Sequence, residues 1–162
     1  MTSDTNQIIS DVEKFIEAAR AGFALAFHIN FTTPRHLFQT YAPEWVKFYS
    51  ENGLVMSDPT VLWGFENDGT IRWSNLTDMD SAGVLEKAKE HGMAYGITCA
   101  LTLDETRTIG SFSRDDREFT DDEIDNLMAM LKKMHSETAK PNAVTTDIKT
   151  ALEDLSVQIQ SS

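Results

Sequence analysis

The sequence predicts an α+β fold, an α-β-α sandwich with a central antiparallel sheet of about five strands flanked by helices. Three observations lead there: an amphipathic stripe near the start, two separate pairs of short alternating runs that read as hairpins, and helical segments between and after those pairs. Strands clustered in pairs, instead of alternating singly with helices, favour an antiparallel sheet over a parallel doubly wound one. At 162 residues the chain has the length of a single domain, with a core and some interior volume to spare.

Ile8, Val12, Phe15, Ile16 and Ala19 recur at helical spacing, which predicts an amphipathic helix over about 4–20 that ends toward Gly22. GFALAFHIN and RHLFQTY, separated by FTTP, read as adjacent antiparallel strands near 23–29 and 35–41. After Pro43, EWVKFYSENG has helical character with Gly53 as its stop, and Pro59 suits the first turn of a further helix in PTVLWGF. Asn67, Asp68 and Gly69 make a turn, and SAGVLEKAKEHG reads as a three-turn helix closed by Gly92. Two more strands follow at about 95–103 and 106–113, joined through DET. Thr120 and Glu123 stand at capping-box spacing before an apolar helical face of Ile124, Leu127, Met128, Leu131 and Met134.

AKPN at 139–142 divides residues 1–138 from 139–162, a linker and a short amphipathic helix carrying Ile148, Leu152, Leu155 and Ile159. Two readings of that stripe stay open: docking on its own domain, or a helix-to-helix contact in a dimer.

Fourteen Lys and Arg against 26 Asp and Glu leave a formal charge of -12, which repels a phosphate backbone and argues against direct nucleic-acid binding. MTSDTNQIISDVEKFIEAAR has neither a basic n-region nor an apolar h-region, and no stretch approaches the ~18 apolar residues of a membrane span. The expectation is a soluble, cytoplasmic protein without a membrane partner. Cys99 stands alone, so no internal disulfide forms and neither a metal-ligand pair nor a redox cofactor is expected; within ITCAL it reads as a small buried hydrophobe.

The densest chemical signal is YAPEWVKFYSENGLVMSDPTVLWGFENDGTIRW, which sets Tyr41, Trp45, Tyr49 and Trp73 around the carboxylate of Asp58. Flat apolar walls with one acceptor among them suit an amphiphilic small molecule. The competing reading is that aromatics fill a core and an Asp before Pro opens a turn.

These residues resemble the autoinducer-binding domain of LuxR-type quorum-sensing regulators, which bind N-acyl-homoserine lactones. Tyr41, Trp45 and Tyr49 at steps of four, then Asp58-Pro59, then Trp73 fifteen residues on, follow that family's pocket pattern. GMAYGIT at 92–98 resembles the glycine-bounded start of a family strand, and IGSFS at 109–113 the strand that sets a small hydroxyl in the pocket. The likeness runs in order over about residues 8–136. It implies that Trp45 donates its indole N–H to the lactone carbonyl, that Asp58 accepts the ligand amide N–H, and that Tyr41 donates to the acyl carbonyl with Ser113 in support. Trp73 and Tyr49 pack against the ring and adjoining chain, and Thr60 and Thr98 match head-group positions. Ser113 requires a one-residue gap in the hairpin, and without it the position falls on Ser111. Phe27, Phe38, Leu54, Val61, Leu62 and Trp63 are the expected neighbours of the tail.

Regulators of this family continue into a helix-turn-helix domain of which this sequence shows no counterpart, so the expectation is a ligand-sensing module that does not bind an operator alone. Three readings of its action are carried: pairing, as a homodimer or with a full-length LuxR-type regulator; buffering of the signal; and, ranked last, an enzyme acting on the lactone or amide. His28, His36, His91 and His135 are scattered, with no HxH or HExxH pair and no GxSxG elbow, so no catalytic residue and no metal site is assigned. Asp115 with Asp116, and Asp121 to Glu123, are read as helix-capping charges.

Overall fold

A computed structural model describes residues 3–161. Its α-helices are α1 (Ser3–Ala18), α2 (Pro43–Glu51), α3 (Pro59–Glu66), α4 (Val84–Glu90), α5 (Asp121–Thr138) and α6 (Thr146–Asp154). Its strands are β1 (Gly22–Asn30), β2 (Thr33–Gln39), β3 (Gly69–Arg72), β4 (Tyr95–Leu103), β5 (Thr106–Arg114) and β6 (Gln158–Ser161). They form one antiparallel sheet in the order β3-β4-β5-β1-β2-β6. The α+β expectation holds, with six strands where about five were predicted.

The two-residue period of a strand assigns each face of this sheet a different task. Phe23, Leu25 and Phe27 of β1, Phe38 of β2, Ile97, Cys99 and Leu101 of β4 and Phe112 of β5 all enter one core. Ile8, Val12 and Phe15 of α1, Ile124, Leu127, Leu131 and Met134 of α5, and Ile148 and Leu152 of α6 cover it. Phe15 stacks on Phe112 with ring centroids 5.2 Å apart. On the other face Ala24, Ala26, Leu37, Ile109 and Ser111 point toward α2, α3 and α4 and leave space. A second, smaller cluster of Trp45, Leu54, Trp73, Leu76, Val84, Ala88 and Met93 stands around that space.

Caps and ion pairs set where the helices lie. Thr120 and Glu123 form the predicted capping box at the start of α5. Arg107 of β5 donates to the carbonyls of Gly64 and Asn67 at 2.8 Å and pairs with Asp68, which fixes the end of α3 over the sheet. Gly64 lets that helix approach, because a Cβ there would stand 2.9 Å from the Ile109 side chain. Arg114, 8% exposed, ties the end of α1 to the sheet through the Ala18 carbonyl and Asp116.

Several elements differ from expectation for identifiable reasons. β3 has only four residues, too few to show alternation, and pairs with Ile97 to Ala100 of β4. α4 starts at Val84, later than expected, because the Asp80 carboxylate accepts the N–H groups of Val84 and Leu85 at 2.8 and 2.9 Å. The hairpin after β4 turns on Asp104 and Glu105 alone, both at positive φ. The last helix ends at Asp154: Ser156 takes φ +64°, the Val157 N–H returns to the Leu152 carbonyl, and Ile159 lies on β6 opposite Phe38. Ile148 and Leu152 are fully buried in the main core, so that stripe docks within its own chain. No described helix is long and apolar enough to cross a membrane.

β1 carries a bulge between Ala26 and Ile29, where His28 adopts φ +55°. His28 is 4% exposed and turns into a polar cluster at the end of α5. Its Nε2–H donates to the His135 carbonyl at 2.9 Å, and Thr106 donates to Nδ1 at 2.8 Å. His135 repeats the scheme, Nε2–H to the Leu103 carbonyl at 2.9 Å and Nδ1 accepting from Thr108 at 2.7 Å. Both rings are thereby fully bonded, as buried polar groups must be. The structural reading of these two histidines follows from that geometry.

Candidate functional site

The space on the second face is a cavity of about 470 Å³, in the size range of small-molecule sites. Tyr41, Trp45, Tyr49, Asp58, Thr60 and Trp73, which sequence analysis singled out, all line it. Trp45 and Tyr49 come from α2, one turn apart, with ring centroids 5.9 Å apart. Asp58 is the N-cap of α3 and holds the carboxylate at the cavity wall.

The carboxylate is held by neighbours on both oxygens. Oδ1 accepts the Thr60 N–H at 2.9 Å and the Thr60 hydroxyl at 2.7 Å, and Oδ2 accepts the Tyr49 hydroxyl at 2.8 Å. About four acceptor sites are available on a carboxylate, so Oδ2 keeps one for an incoming donor. Burial, and after it the charge of Asp58, pushes the Tyr41 and Tyr49 hydroxyls well above the usual phenol range. Both remain neutral donors throughout the physiological range.

Two donors at this site have no acceptor in the protein. Among the described residues neither the Trp45 indole N–H nor the Tyr41 hydroxyl has a hydrogen-bond partner, although Trp45 is only 5% exposed. Both residues line the cavity, so its wall presents two free donors to a ligand bearing acceptors. His91 of the loop after α4 lies against Trp45, centroids 5.1 Å apart, and steadies the ring from outside the cavity.

Trp73 is fixed differently. Its Nε1–H donates to Thr98 Oγ at 3.0 Å, and Thr98 and Ser111 share a hydrogen bond of 2.8 Å. The ring lies flat over Gly96, where any Cβ would fall within the indole. Thr98 is therefore one layer behind the wall, fully buried, holding Trp73 and Ser111 in place. Ser113 is also fully buried and donates to the Gly22 carbonyl at 2.9 Å, and the hydroxyl of β5 that lines the cavity is that of Ser111.

The tail-side expectations divide by strand parity. Phe27 and Phe38 belong to the opposite core, and Leu62 is 46% exposed; of the residues named, Val61 lines the cavity. Sequence reasoning passed over Ala24 and Ala26, whose small side chains make the floor. Their signal was present in GFALAFHIN, where large and small apolar residues alternate.

Residues 14–137 match the family model of the autoinducer binding domain. The transcriptional activator protein LuxR of Aliivibrio fischeri is 24% identical over 127 residues, covering 75% of this chain and 51% of LuxR. The regulatory protein SdiA of Escherichia coli is 32% identical over 89 residues, covering 53% of this chain and 37% of SdiA. The chain thus spans about half the length, or less, of these curated relatives. Two solved structures share the fold. SdiA in complex with octanoyl-rac-glycerol has a TM-score of 0.60 at 21% identity, over 96% of this chain and 61% of that one. The N-acylhomoserine lactone dependent LuxR family factor CepR2 of Burkholderia cenocepacia has a TM-score of 0.55 at 16% identity, over 93% of this chain and 99% of that one. Sequence match and fold agree: the chain belongs to the autoinducer-binding domain family of LuxR-type regulators.

Proposed function

We propose that this chain binds an N-acyl-homoserine lactone in the cavity between the sheet and α2, α3 and α4. The observation that carries the reading is the convergence of three complementary groups on one cavity: the two unpartnered donors of Trp45 and Tyr41 and the open acceptor site on Asp58 Oδ2. An acyl-homoserine lactone offers two carbonyl oxygens and one amide N–H, which satisfies all three. Trp45 donates to the lactone carbonyl, Tyr41 to the acyl carbonyl with Ser111 beside it, and Asp58 accepts the amide N–H. Tyr49 and Thr60 hold Asp58, Thr98 holds Trp73, and Trp73 packs on the ring. SdiA holding octanoyl-glycerol supports an amphiphile with a small polar head and an acyl tail in this fold.

Asp58, gripped by two hydroxyls and an N–H, acts here as a fixed acceptor, so the site binds its ligand without changing it. We further propose that the output is pairing, with a second copy or with a full-length LuxR-type regulator. Size-exclusion of the protein alone, with ligand and with such a regulator separates this from a signal buffer, which elutes as a monomer in every mixture.

The primary test is thermal melting against C4 to C14 acyl-homoserine lactones. A ligand at 100 times its Kd adds about 2.7 kcal/mol, worth roughly 5–11 °C for a protein of this size. No rise with any member of the series, while the protein is folded, overturns the proposal. Native mass spectrometry of protein purified from signal-producing cells would identify a retained ligand directly.

A further inference from the structure

We infer that strand β6, through Gln160, forms the far wall of this cavity and sets which acyl lengths bind best; the inference rests on the acyl-lactone reading above. Three of the polar groups stand toward one end of the sheet: α3, opened by Asp58, packs on β4 and β5, Trp73 lies over Gly96 of β4, and Ser111 belongs to β5. From there the register runs Ile109, Ala26, Leu37, Gln160 straight across β5, β1, β2 and β6, and all four side chains line the cavity. Three interstrand steps of about 4.8 Å put Gln160 roughly 14 Å from the β5 row. A head group held over β4 and β5 sends its tail along this row, above Ala26, toward β6.

β6 is built to hold that position. Ile159 packs into the main core from the opposite face, Ser161 Oγ meets His36 Nδ1 at 2.9 Å, and α6 beneath it is anchored by Ile148 and Leu152. The residue facing the cavity between these anchors is exposed Gln160, an amide at the border between the apolar floor and water. This segment lies beyond residues 14–137, the region matched by the family model.

The test measures Kd for hexanoyl- and dodecanoyl-homoserine lactone with the intact chain, Gln160→Lys, Gln160→Leu and a chain ended after Val157. Each buried methylene raises affinity about fourfold. Ending the chain after Val157 uncovers the last methylenes and should weaken the dodecanoyl ligand at least tenfold while changing the hexanoyl ligand less than twofold. Gln160→Lys should act in the same direction and Gln160→Leu in the opposite one, again on the long ligand only. Because these two exchanges are at an exposed position, they decide the matter even where the shortened chain does not fold. Equal effects on both lengths, or none, overturn the assignment of Gln160. Acrylamide quenching of tryptophan emission tests the wall without any lactone: more quenching in the shortened chain supports it, and unchanged quenching overturns it. If no lactone binds the intact chain, the ligand reading fails and the quenching result still decides whether β6 closes the cavity.

Discussion

Asp58→Asn separates recognition from stability. Asparagine is as good an N-cap as aspartate, so its side-chain oxygen can keep the Thr60 N–H, and Tyr49 can rotate to accept from the new amide instead of donating. The folded protein should therefore lose less than about 1 kcal/mol. The ligand has no such adjustment. Its amide N–H meets an NH2 group where Oδ2 stood, and a charge-assisted bond worth about 1.5–3 kcal/mol disappears, which is roughly 10- to 150-fold in Kd. Asp58→Ala should show both losses, since it removes the cap and leaves the Tyr49 hydroxyl without its partner. Urea unfolding of the free proteins and isothermal titration with the best lactone of the series measure the two quantities independently. An asparagine variant that binds within twofold of the parent refutes the role given to Asp58.

Trp45→Phe removes a donor that has no partner in the protein, so the free protein should unfold at nearly the same urea concentration while lactone Kd rises roughly 2- to 12-fold, the net value of one hydrogen bond. Gly96→Ala should lower stability by about 1–3 kcal/mol in urea unfolding, because the added methyl collides with the Trp73 ring, and an unchanged midpoint would contradict the close packing described here. His28 has its pKa pushed down to about 4, first by burial and then by the His135 and Arg35 charges. A depressed histidine takes up its proton first in the unfolded chain, so its contribution is intact above pH 6.5 and declines as pH falls from 6.5 to 4, by roughly 3 kcal/mol in all. That part of the acid slope should vanish in His28→Asn, a residue that tolerates the positive φ, and an identical slope in the two proteins would refute it.

What the sequence disclosed and what it concealed follow from the range over which each signal acts. The hairpin at 95–114 was legible almost to the residue because alternation and a polar turn are local properties. So was the start of α5, where Thr120 and Glu123 act within one turn. β6 was hidden because Ile148, Leu152, Leu155 and Ile159 keep helical spacing through a chain that in fact reverses at Ser156. The alternation in Val157, Gln158, Ile159 and Gln160 was the opposing signal, too short to outweigh the longer one. At the site, the aromatic and acidic residues were legible by type and order, whereas the choice between Ser111 and Ser113 depends on a three-dimensional neighbour. Ser113 meets the Gly22 carbonyl at the strand end, and Ser111 meets Thr98 at mid-strand, and nothing local to IGSFS distinguishes those situations.

The two faces of one strand explain how a small domain keeps both a dense core and an open interior. In β1, Phe23, Leu25 and Phe27 are fully buried among α1, α5 and α6, while Ala24 and Ala26 between them occupy little space on the cavity side. Filling the cavity from the floor is then a single-residue matter. Ala26→Leu adds about three methylene-sized groups above the row that leads from Ile109 to Gln160, without touching the core on the opposite face. The variant should fold with near-parent stability, because it occupies space instead of displacing packed atoms. Its affinity should fall steeply for long acyl chains and less for short ones, since Asp58 opens α3, which packs on β4 and β5. Loss of affinity equal at all lengths would instead mean that the tail does not cross β1, and the path drawn from Ser111 to Gln160 would be wrong.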